Sequence, residues 1–315
     1  MIKPEINVLI FNEFIKRGYK LQGNTRVFNI ADSKLWYITP EQAQAFLDLE
    51  KSEDYQKAVI QKEIDLINNN IDEIKKDIQD KPLNIIDLGC GDGKKSVLFI
   101  KKFHNINFIR YCPIDISSYM VEQTIKKFEK IGIKEVVKFQ WNISDFENLE
   151  NIASSLRSTE YKDNLLLLLG NTLGNFEANE LLYKIKSCMK ENDTLIIGNG
   201  INNQNWEEIL NSYNNDFVNN FLVKILTQIG MKEEDLQFGV GFRNSRLELY
   251  YVIKRNFSIS FLDKKIDFKE GDQIIIAIFN KYTKEVFESY IKTYFSRVKT
   301  FFSEDGSYAL TVCKL

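Results

Sequence analysis

A glycine-rich turn between a strand-like and a helix-like segment constrains this chain more than any other feature. Residues 83–88 form a largely apolar run typical of a buried strand. Glycines follow at three alternate positions, Gly89, Gly91 and Gly93, and the pattern then becomes helical over residues 94–103. Glycines at such a turn let the backbone approach a ligand closely, and the following helix offers free N–H groups. The stretch therefore predicts a strand, a tight ligand-binding turn and a helix.

The next apolar stretch indicates which kind of ligand the turn binds. Residues 108–114 read as a second strand and end at Asp115, whose carboxylate is placed to take the hydroxyls of a ribose. The glycine spacing is not the GxGxxG of dinucleotide sites, and Asp87 lies inside the first strand. This pattern resembles the first motif of Rossmann-like methyltransferases that use S-adenosylmethionine (SAM). A purely structural turn is disfavoured by Asp115 and by Asp145-Phe146, which follow another predicted strand.

Composition excludes several other classes of protein. The 315 residues are 44% apolar, enough for one large domain or two modest ones, and the net charge of −2 comes from interspersed acids and bases. The sequence has no apolar run long enough to span a membrane, and its four cysteines lack the spacing of a metal site and fit a reducing compartment. We expect a small-molecule substrate, no nucleic acid, no membrane and no metal, in a monomeric cytoplasmic enzyme. His104 is the only histidine, which disfavours a histidine base and histidine metal sites.

The pattern of predicted helices and strands changes along the chain. Residues 1–80 show helical spacing without strand alternation, and within them Thr39 and Pro40 read as the N-cap and first residue of a helix. Residues 83–200 alternate strand and helix, which predicts an α/β fold with a parallel sheet covered on both faces. Residues 201–280 are first helical and then alternate as antiparallel strands, and a helix and a hairpin close the chain. We predict a Rossmann-like class I SAM methyltransferase sheet (1–200 and 281–315) carrying an inserted, smaller α+β substrate-binding domain (201–280).

Several segments together resemble one family, the amino-acid α-N-methyltransferases typified by the histidine-specific enzyme of ergothioneine biosynthesis. The sharpest is Leu169–Phe176 (LGNTLGNF), which is similar to the family's FLGSTIGN segment after the fourth strand. The resemblance covers most of the chain. The other matching segments are Lys95-Ser96 (Lys-Thr in the family), Pro113-Ile114-Asp115, Asp145-Phe146, Trp36-Tyr37, Glu53-Asp54-Tyr55 and Ser212-Tyr213-Asn214.

The resemblance implies a role for each matching residue. SAM, with S-adenosylhomocysteine (SAH) as its product, would be bound by Asp87, Gly89, Gly91, Lys95, Asp115, Asp145, Phe146 and Gly170. Asn175 and Tyr213 would hold the carboxylate and amine of the amino acid, and Tyr37 and Tyr55 would orient the amine. Tyr37, Asn175 and Tyr213 would then be the catalytic residues, acting by alignment rather than as strong bases.

The chain departs from the family where the substrate's side chain is expected. The histidine enzymes use a Glu and a Ser on a late strand, and alignment places Ala277 and Phe279 at those positions. Leu249 replaces the family's methionine. An imidazole would leave its N–H groups unpaired there, whereas an apolar side chain would gain from burial. We therefore predict α-N-methylation of a free amino acid with an aromatic or apolar side chain, such as tryptophan or tyrosine. Histidine, another small-molecule amine, and a SAM-binding module without activity remain the alternatives.

Overall fold

The computed structural model divides the chain into two compact units. It describes residues 6–78, 81–102, 108–144, 146–203, 205–243, 246–261 and 263–315. The large unit comprises residues 53–204 and 281–315, and the small unit comprises residues 1–52 and 205–280.

A seven-stranded sheet forms the centre of the large unit. Its strands are β3 (Leu83–Leu88), β4 (Ile109–Ile114), β5 (Glu135–Val136), β6 (Asp163–Leu168), β7 (Thr194–Gly200), β13 (Arg297–Phe302) and β14 (Tyr308–Lys314). Their order is β13-β14-β7-β6-β3-β4-β5, and all neighbours are parallel except the pairs made by β14. The predicted parallel sheet with a terminal antiparallel hairpin is confirmed.

Helices pack on this sheet because its central strands are apolar on both faces. Every residue of β3 and β6 is buried, as expected for strands covered on both sides. The helices are α3 (Glu53–Tyr55), α4 (Gln61–Asp77), α5 (Lys94–Lys102), α6 (Ser118–Ile131), α7 (Leu149–Ser155), α8 (Ala178–Cys188) and α11 (Lys284–Tyr294). A π-helical turn, Gln56–Ile60, joins α3 to α4.

The small unit is built on a five-stranded sheet of order β1-β2-β12-β9-β8. These strands are β1 (Tyr19–Gln22), β2 (Thr25–Asn29), β8 (Leu236–Arg243), β9 (Arg246–Ile253) and β12 (Gln273–Asn280). A separate hairpin consists of β10 (Phe257–Phe261) and β11 (Lys264–Phe268). The helices of this unit are α1 (Ile6–Arg17), α2 (Pro40–Lys51), α9 (Trp206–Tyr213) and α10 (Asp216–Thr227).

The unit boundaries differ from the predicted domain boundaries at the N-terminal side. Residues 1–52 were predicted to belong with the SAM-binding part, but they lie in the small unit. The reason is that β2 pairs in parallel with β12, more than 240 residues later in the chain. The predicted absence of strands before residue 80 was therefore wrong. The strand predicted to precede Asp145-Phe146 is also short: β5 ends at Val136, and a 3-10 turn occupies Gln140–Asn142.

Local sequence signals were more reliable than long-range ones. The predicted cap of α2 is confirmed: Thr39 Oγ1 accepts from the Gln42 N–H at 3.2 Å, Gln42 Oε1 accepts from the Thr39 N–H at 3.0 Å, and Pro40 is the first helical residue. Among the described residues, no helix combines the length and the hydropathy that crossing a membrane requires.

Candidate active site

The glycine turn after β3 adopts a backbone that only glycine takes readily. Gly89, Gly91 and Gly93 have φ values of +72°, +51° and +72°. The turn is fixed to the neighbouring strand β4, since the N–H groups of Gly89 and Cys90 both donate to the Ile114 carbonyl, at 2.8 and 3.0 Å. A Cβ placed on Gly91 would have nothing within 4 Å, so the turn borders open space at this point.

Asp115 lies beside the turn at the carboxyl end of β4. Its Oδ2 accepts from the Gly91 N–H at 3.0 Å and its Oδ1 accepts from the Ser117 N–H at 2.9 Å. The residue is 9% exposed, and burial raises the pKa of its carboxyl group. An ionised carboxylate has about four acceptor positions, so Asp115 can keep both bonds and still accept from ribose hydroxyls.

Asp87 lies below the turn, inside β3. The residue is 2% exposed, and its Oδ2 accepts hydrogen bonds from the Ser96 hydroxyl and the Tyr111 hydroxyl. It thereby links β3 to the first turn of α5 and to β4, which is a structural role. Its predicted contact with the cofactor stays a prediction.

Replacing Asp87 by asparagine is expected to change how stability depends on pH. Burial raises the pKa of Asp87 from 3.8 to about 6. Because the folded state holds this proton more tightly than the unfolded state, the contribution of Asp87 to stability is complete below pH 3.8 and is lost as the pH rises through 6. The free energy of unfolding of the wild type relative to Asp87→Asn should fall by roughly 2 kcal/mol between pH 4 and pH 7.

Urea unfolding at several pH values measures this difference. Asp65→Asn, on the exposed side of α4, is the matched control that removes one carboxylate from the surface. A difference that stays constant with pH would show that Asp87 titrates as an ordinary carboxyl group.

The segment after β6 forms a second tight loop at the same sheet edge. Gly170 and Asn171 have φ values of +73° and +66°. Asn171 Oδ1 accepts from the Gly200 N–H, and the Thr172 hydroxyl donates to the Leu169 carbonyl at 2.7 Å. These bonds hold the loop internally and to β7, so its end at Asn175 has a fixed position.

Asn175 presents a polar atom that its surroundings do not satisfy. It ends a 3-10 turn, Thr172–Asn175, in front of α8. Its Oδ1 is buried and has no hydrogen-bond partner among the described residues. A buried acceptor without a donor is unfavourable by about 1–3 kcal/mol, which a ligand's N–H group would relieve.

Phe146 is strained in a way that also points to a site. Its φ is +72°, a conformation rarely taken by a residue with a large side chain. Its ring is buried and lies 5.6 Å from that of Phe176, which follows Asn175. Its neighbour Asp145 was predicted to bind the cofactor, but Asp145 and His104 lie outside the described residues.

Within the small unit, six aromatic side chains form one continuous group, here called the aromatic cluster. Its members are Trp36, Tyr37, Phe46, Tyr213, Phe221 and Phe279. Tyr37 contacts Phe46 and Phe221, with ring centroids 5.1 and 5.6 Å apart. Phe279 contacts Trp36 and Tyr213 at 5.3 and 5.1 Å. The structure thus brings the predicted Tyr37 and Tyr213 into one cluster through Trp36 and Phe279.

The three positions predicted to meet the substrate's side chain differ in accessibility. Ala277 on β12 and Leu249 on β9 are paired on neighbouring strands, and both are fully buried. Phe279, two residues after Ala277, is half-buried and belongs to the aromatic cluster. Phe279 is therefore the one of the three whose side chain offers surface to a ligand.

Sequence reasoning missed Glu63, the most deeply buried acid of α4. In the sequence, nothing distinguishes Glu63 from the other charged residues of this helix, yet Glu63 is 0% exposed and its Oε2 lies 3.1 Å from Lys95 Nζ. Tyr55, predicted to orient the amine, is half-buried at the end of α3, directly before the π-helical turn. A π-helical turn often marks a functional site, but nothing in the sequence signalled it.

Comparison with known proteins identifies the family. A profile described as "Histidine-specific methyltransferase, SAM-dependent" matches residues 41–315. The chain belongs to this family. It is a SAM-dependent methyltransferase, and its seven-stranded sheet is that of the class I SAM methyltransferase fold.

Solved structures similar to this methyltransferase are distant from it. One is a SAM-dependent methyltransferase from Clostridium acetobutylicum, with 14% identity, coverage of 86% of this chain and 98% of that chain, and a TM-score of 0.47. Another is a protein from Pyrococcus horikoshii, with 14% identity, coverage of 88% and 99%, and a TM-score of 0.48. Sequence identities and TM-scores this low carry no information about the molecule that accepts the methyl group. No curated protein sequence is a significant match.

The residues at the sheet edge fit the cofactor that the family implies. The open space beyond Gly91 and the partly satisfied carboxylate of Asp115 suit an adenosine group. Lys95, in the first turn of α5, adds a cation that suits the carboxylate of the methionine part. Within the described part of the chain, no three His, Cys, Asp or Glu side chains are arranged to hold a metal ion.

Proposed function

We propose that this enzyme transfers a methyl group from SAM to the α-amino group of a free amino acid with an aromatic or apolar side chain. The observation that carries the proposal is the buried, unpartnered Oδ1 of Asn175. An amide oxygen accepts, and an amine has N–H groups to donate, so the two are complementary.

The family match supports an amino acid as the acceptor but describes histidine as the substrate. An imidazole needs polar partners for its N–H groups. The strands β8, β9 and β12 contain one acid among their described residues, Glu248. It forms bonds of 2.9 and 2.7 Å with Arg246, and strand alternation directs it away from the face of Leu247 and Leu249. This arrangement disfavours histidine.

The aromatic cluster supports an aromatic or apolar side chain instead. Phe279 offers a half-buried ring between Trp36 and Tyr213, at the position where the histidine enzymes have a serine. Burial of apolar surface contributes about 25 cal/mol per Å², and well-placed aromatic pairs add about 0.5–1.5 kcal/mol.

The chemistry asks the chain mainly to align the acceptor. SAM supplies a methyl group on a positively charged sulfur. The α-amine has an ordinary pKa of about 7.7–8.0, so it loses its proton readily near neutral pH without a strong base. Asn175 Oδ1 would accept one amine N–H and so direct the nitrogen lone pair. Tyr37, Tyr55 and Tyr213 would orient the remaining polar groups, and alignment of this kind can contribute about 7–11 kcal/mol.

A panel of acceptors tests the proposal. We expect methylation of tryptophan, tyrosine and phenylalanine, with slower turnover of histidine, followed by product mass and SAH release. N-acetyltryptophan, whose amine is blocked, should be inert, and this control separates α-N-methylation from methylation of the side chain. Fast methylation of histidine with tryptophan and tyrosine inert would contradict the side-chain assignment. Inertness of every free amino acid would contradict the amino-acid assignment.

A further inference from the structure

One acidic side chain in the large unit contacts two of the residues that are predicted to bind the cofactor, Lys95 and Gly170. Glu63 is on α4, two turns after Tyr55, and is completely buried. Removing a carboxylate from water is strongly unfavourable unless charged or hydrogen-bonding groups surround it. The groups that contact Glu63 therefore show how a buried carboxylate is stabilised at this position.

The two oxygens of Glu63 contact a loop and a helix. Oε1 accepts from the Gly170 N–H at 3.0 Å, at the turn after β6. Oε2 lies 3.1 Å from Lys95 Nζ, in the first turn of the helix after the glycine turn. One carboxylate thus connects the first turn of α5 with the loop that ends at Asn175.

The space around Glu63 is shaped to admit this carboxylate. A Cβ added to Gly198, on β7, would overlap Glu63 Oε1. The carboxylate therefore fits only because residue 198 has no side chain. A Cβ on Gly170 would lie 2.5 Å from Lys95 Nζ, which shows how closely the lysine passes that loop. The Lys95 side chain is 15% exposed. Its ammonium group therefore contacts the buried Glu63 on one side and still reaches the surface.

We propose that Glu63 is a positioning residue that holds Lys95 in place for the carboxylate of the amino-acid part of SAM. The ion pair fixes a flexible lysine side chain before the cofactor binds, and so reduces the entropy lost on binding. The inference rests on the proposed cofactor role of Lys95 and is independent of the acceptor's side chain.

Two ligands provide the test: both have the adenosine and the thioether, and only one of them has the amino-acid part with its carboxylate and ammonium group. SAH carries the amino-acid carboxylate, whereas 5′-methylthioadenosine keeps the adenosine and the thioether and lacks that carboxylate. Glu63→Gln retains an oxygen for the Gly170 N–H and removes the charge facing Lys95. We expect calorimetry to show SAH binding weakened about ten-fold, with 5′-methylthioadenosine changed less than about two-fold.

Matched variants show whether the effect passes through Lys95. Glu73→Gln lies on the same helix and breaks an exposed pair with Lys299, so it should leave both affinities unchanged. Lys95→Met should weaken SAH by itself, and Glu63→Gln should add nothing further in that background. If Glu63→Gln alone proves too unstable, the comparison of Lys95→Met with the double variant, which removes both buried charges, decides the question.

Three results would overturn the inference. These are an equal loss of affinity for both ligands, no loss for either, or a loss of SAH affinity that persists in full without Lys95. Failure of the wild type to bind SAH would instead contradict the cofactor site. Normal SAH binding without turnover of any amino acid would contradict only the proposed acceptor.

Discussion

Replacing Asn175 by alanine is expected to lower kcat/KM for the amino-acid acceptor by about 100-fold while leaving SAH affinity within about two-fold of the wild type. The buried Oδ1 of Asn175 would be the acceptor that fixes the reacting amine, and it has no partner among the described residues that could compete for it. Loss of one hydrogen bond to a charged or reacting group is worth about 1.5–3 kcal/mol, and the resulting misalignment adds to this. Steady-state kinetics with saturating SAM, together with calorimetry for SAH, measure the two quantities separately.

Asn179→Ala is the matched control for this substitution. Asn179 is the same residue type four positions later, exposed on the first turn of α8, where its Oδ1 accepts from the Tyr294 hydroxyl at 3.2 Å. It should leave acceptor kinetics and SAH binding unchanged. Acceptor kinetics that do not respond to Asn175→Ala would place the amine elsewhere. A parallel loss of SAH affinity would mean that the residue only shapes the loop.

The parts of this site that the sequence predicted are those with local causes. The turn at Gly89 follows from glycines that must take positive φ, and the cap at Thr39 follows from groups three residues apart. The strand–helix alternation of residues 83–200 likewise reflects hydrophobic periods within short windows. Such signals need no knowledge of what lies elsewhere in the chain.

The parts that the sequence did not predict depend on distant contacts. β1 has only four residues and is exposed along its whole length, and β2 becomes a sheet strand because β12 offers it an edge. In the sequence, Glu63 looks like any other charged residue of an amphipathic helix. Its contacts with Lys95 and Gly170 become visible only in the folded structure. The aromatic cluster joins the segment of Trp36 and Tyr37, which precedes α2, with residues of α2, α9, α10 and β12, and more than 160 residues separate Phe46 from Tyr213.

Replacing Phe279 by alanine is expected to lower kcat/KM for tryptophan about 30- to 100-fold while changing kcat/KM for alanine less than about three-fold. The ring of Phe279 is half-buried against Trp36 and Tyr213. Without this ring, a bound aromatic side chain would lose the apolar surface that it buries against Phe279 and the ring-to-ring contact. A methyl side chain is too small to gain much from that ring. The ratio of the two kcat/KM values therefore reports on side-chain recognition and is insensitive to losses of active enzyme.

The control and the opposite substitution make this prediction specific. Phe257→Ala removes a half-buried ring from the β10–β11 hairpin of the same unit, where it contacts Phe268 at 5.3 Å, and should leave the ratio unchanged. Phe279→Ser introduces the residue of the histidine enzymes. Its hydroxyl can pair with an imidazole, and relieving one unpaired donor is worth about 1–3 kcal/mol, so histidine should gain about ten-fold relative to tryptophan. If tryptophan, alanine and histidine instead respond equally to both substitutions at Phe279, this ring supports the small unit without contacting the acceptor, and the selectivity must come from other side chains.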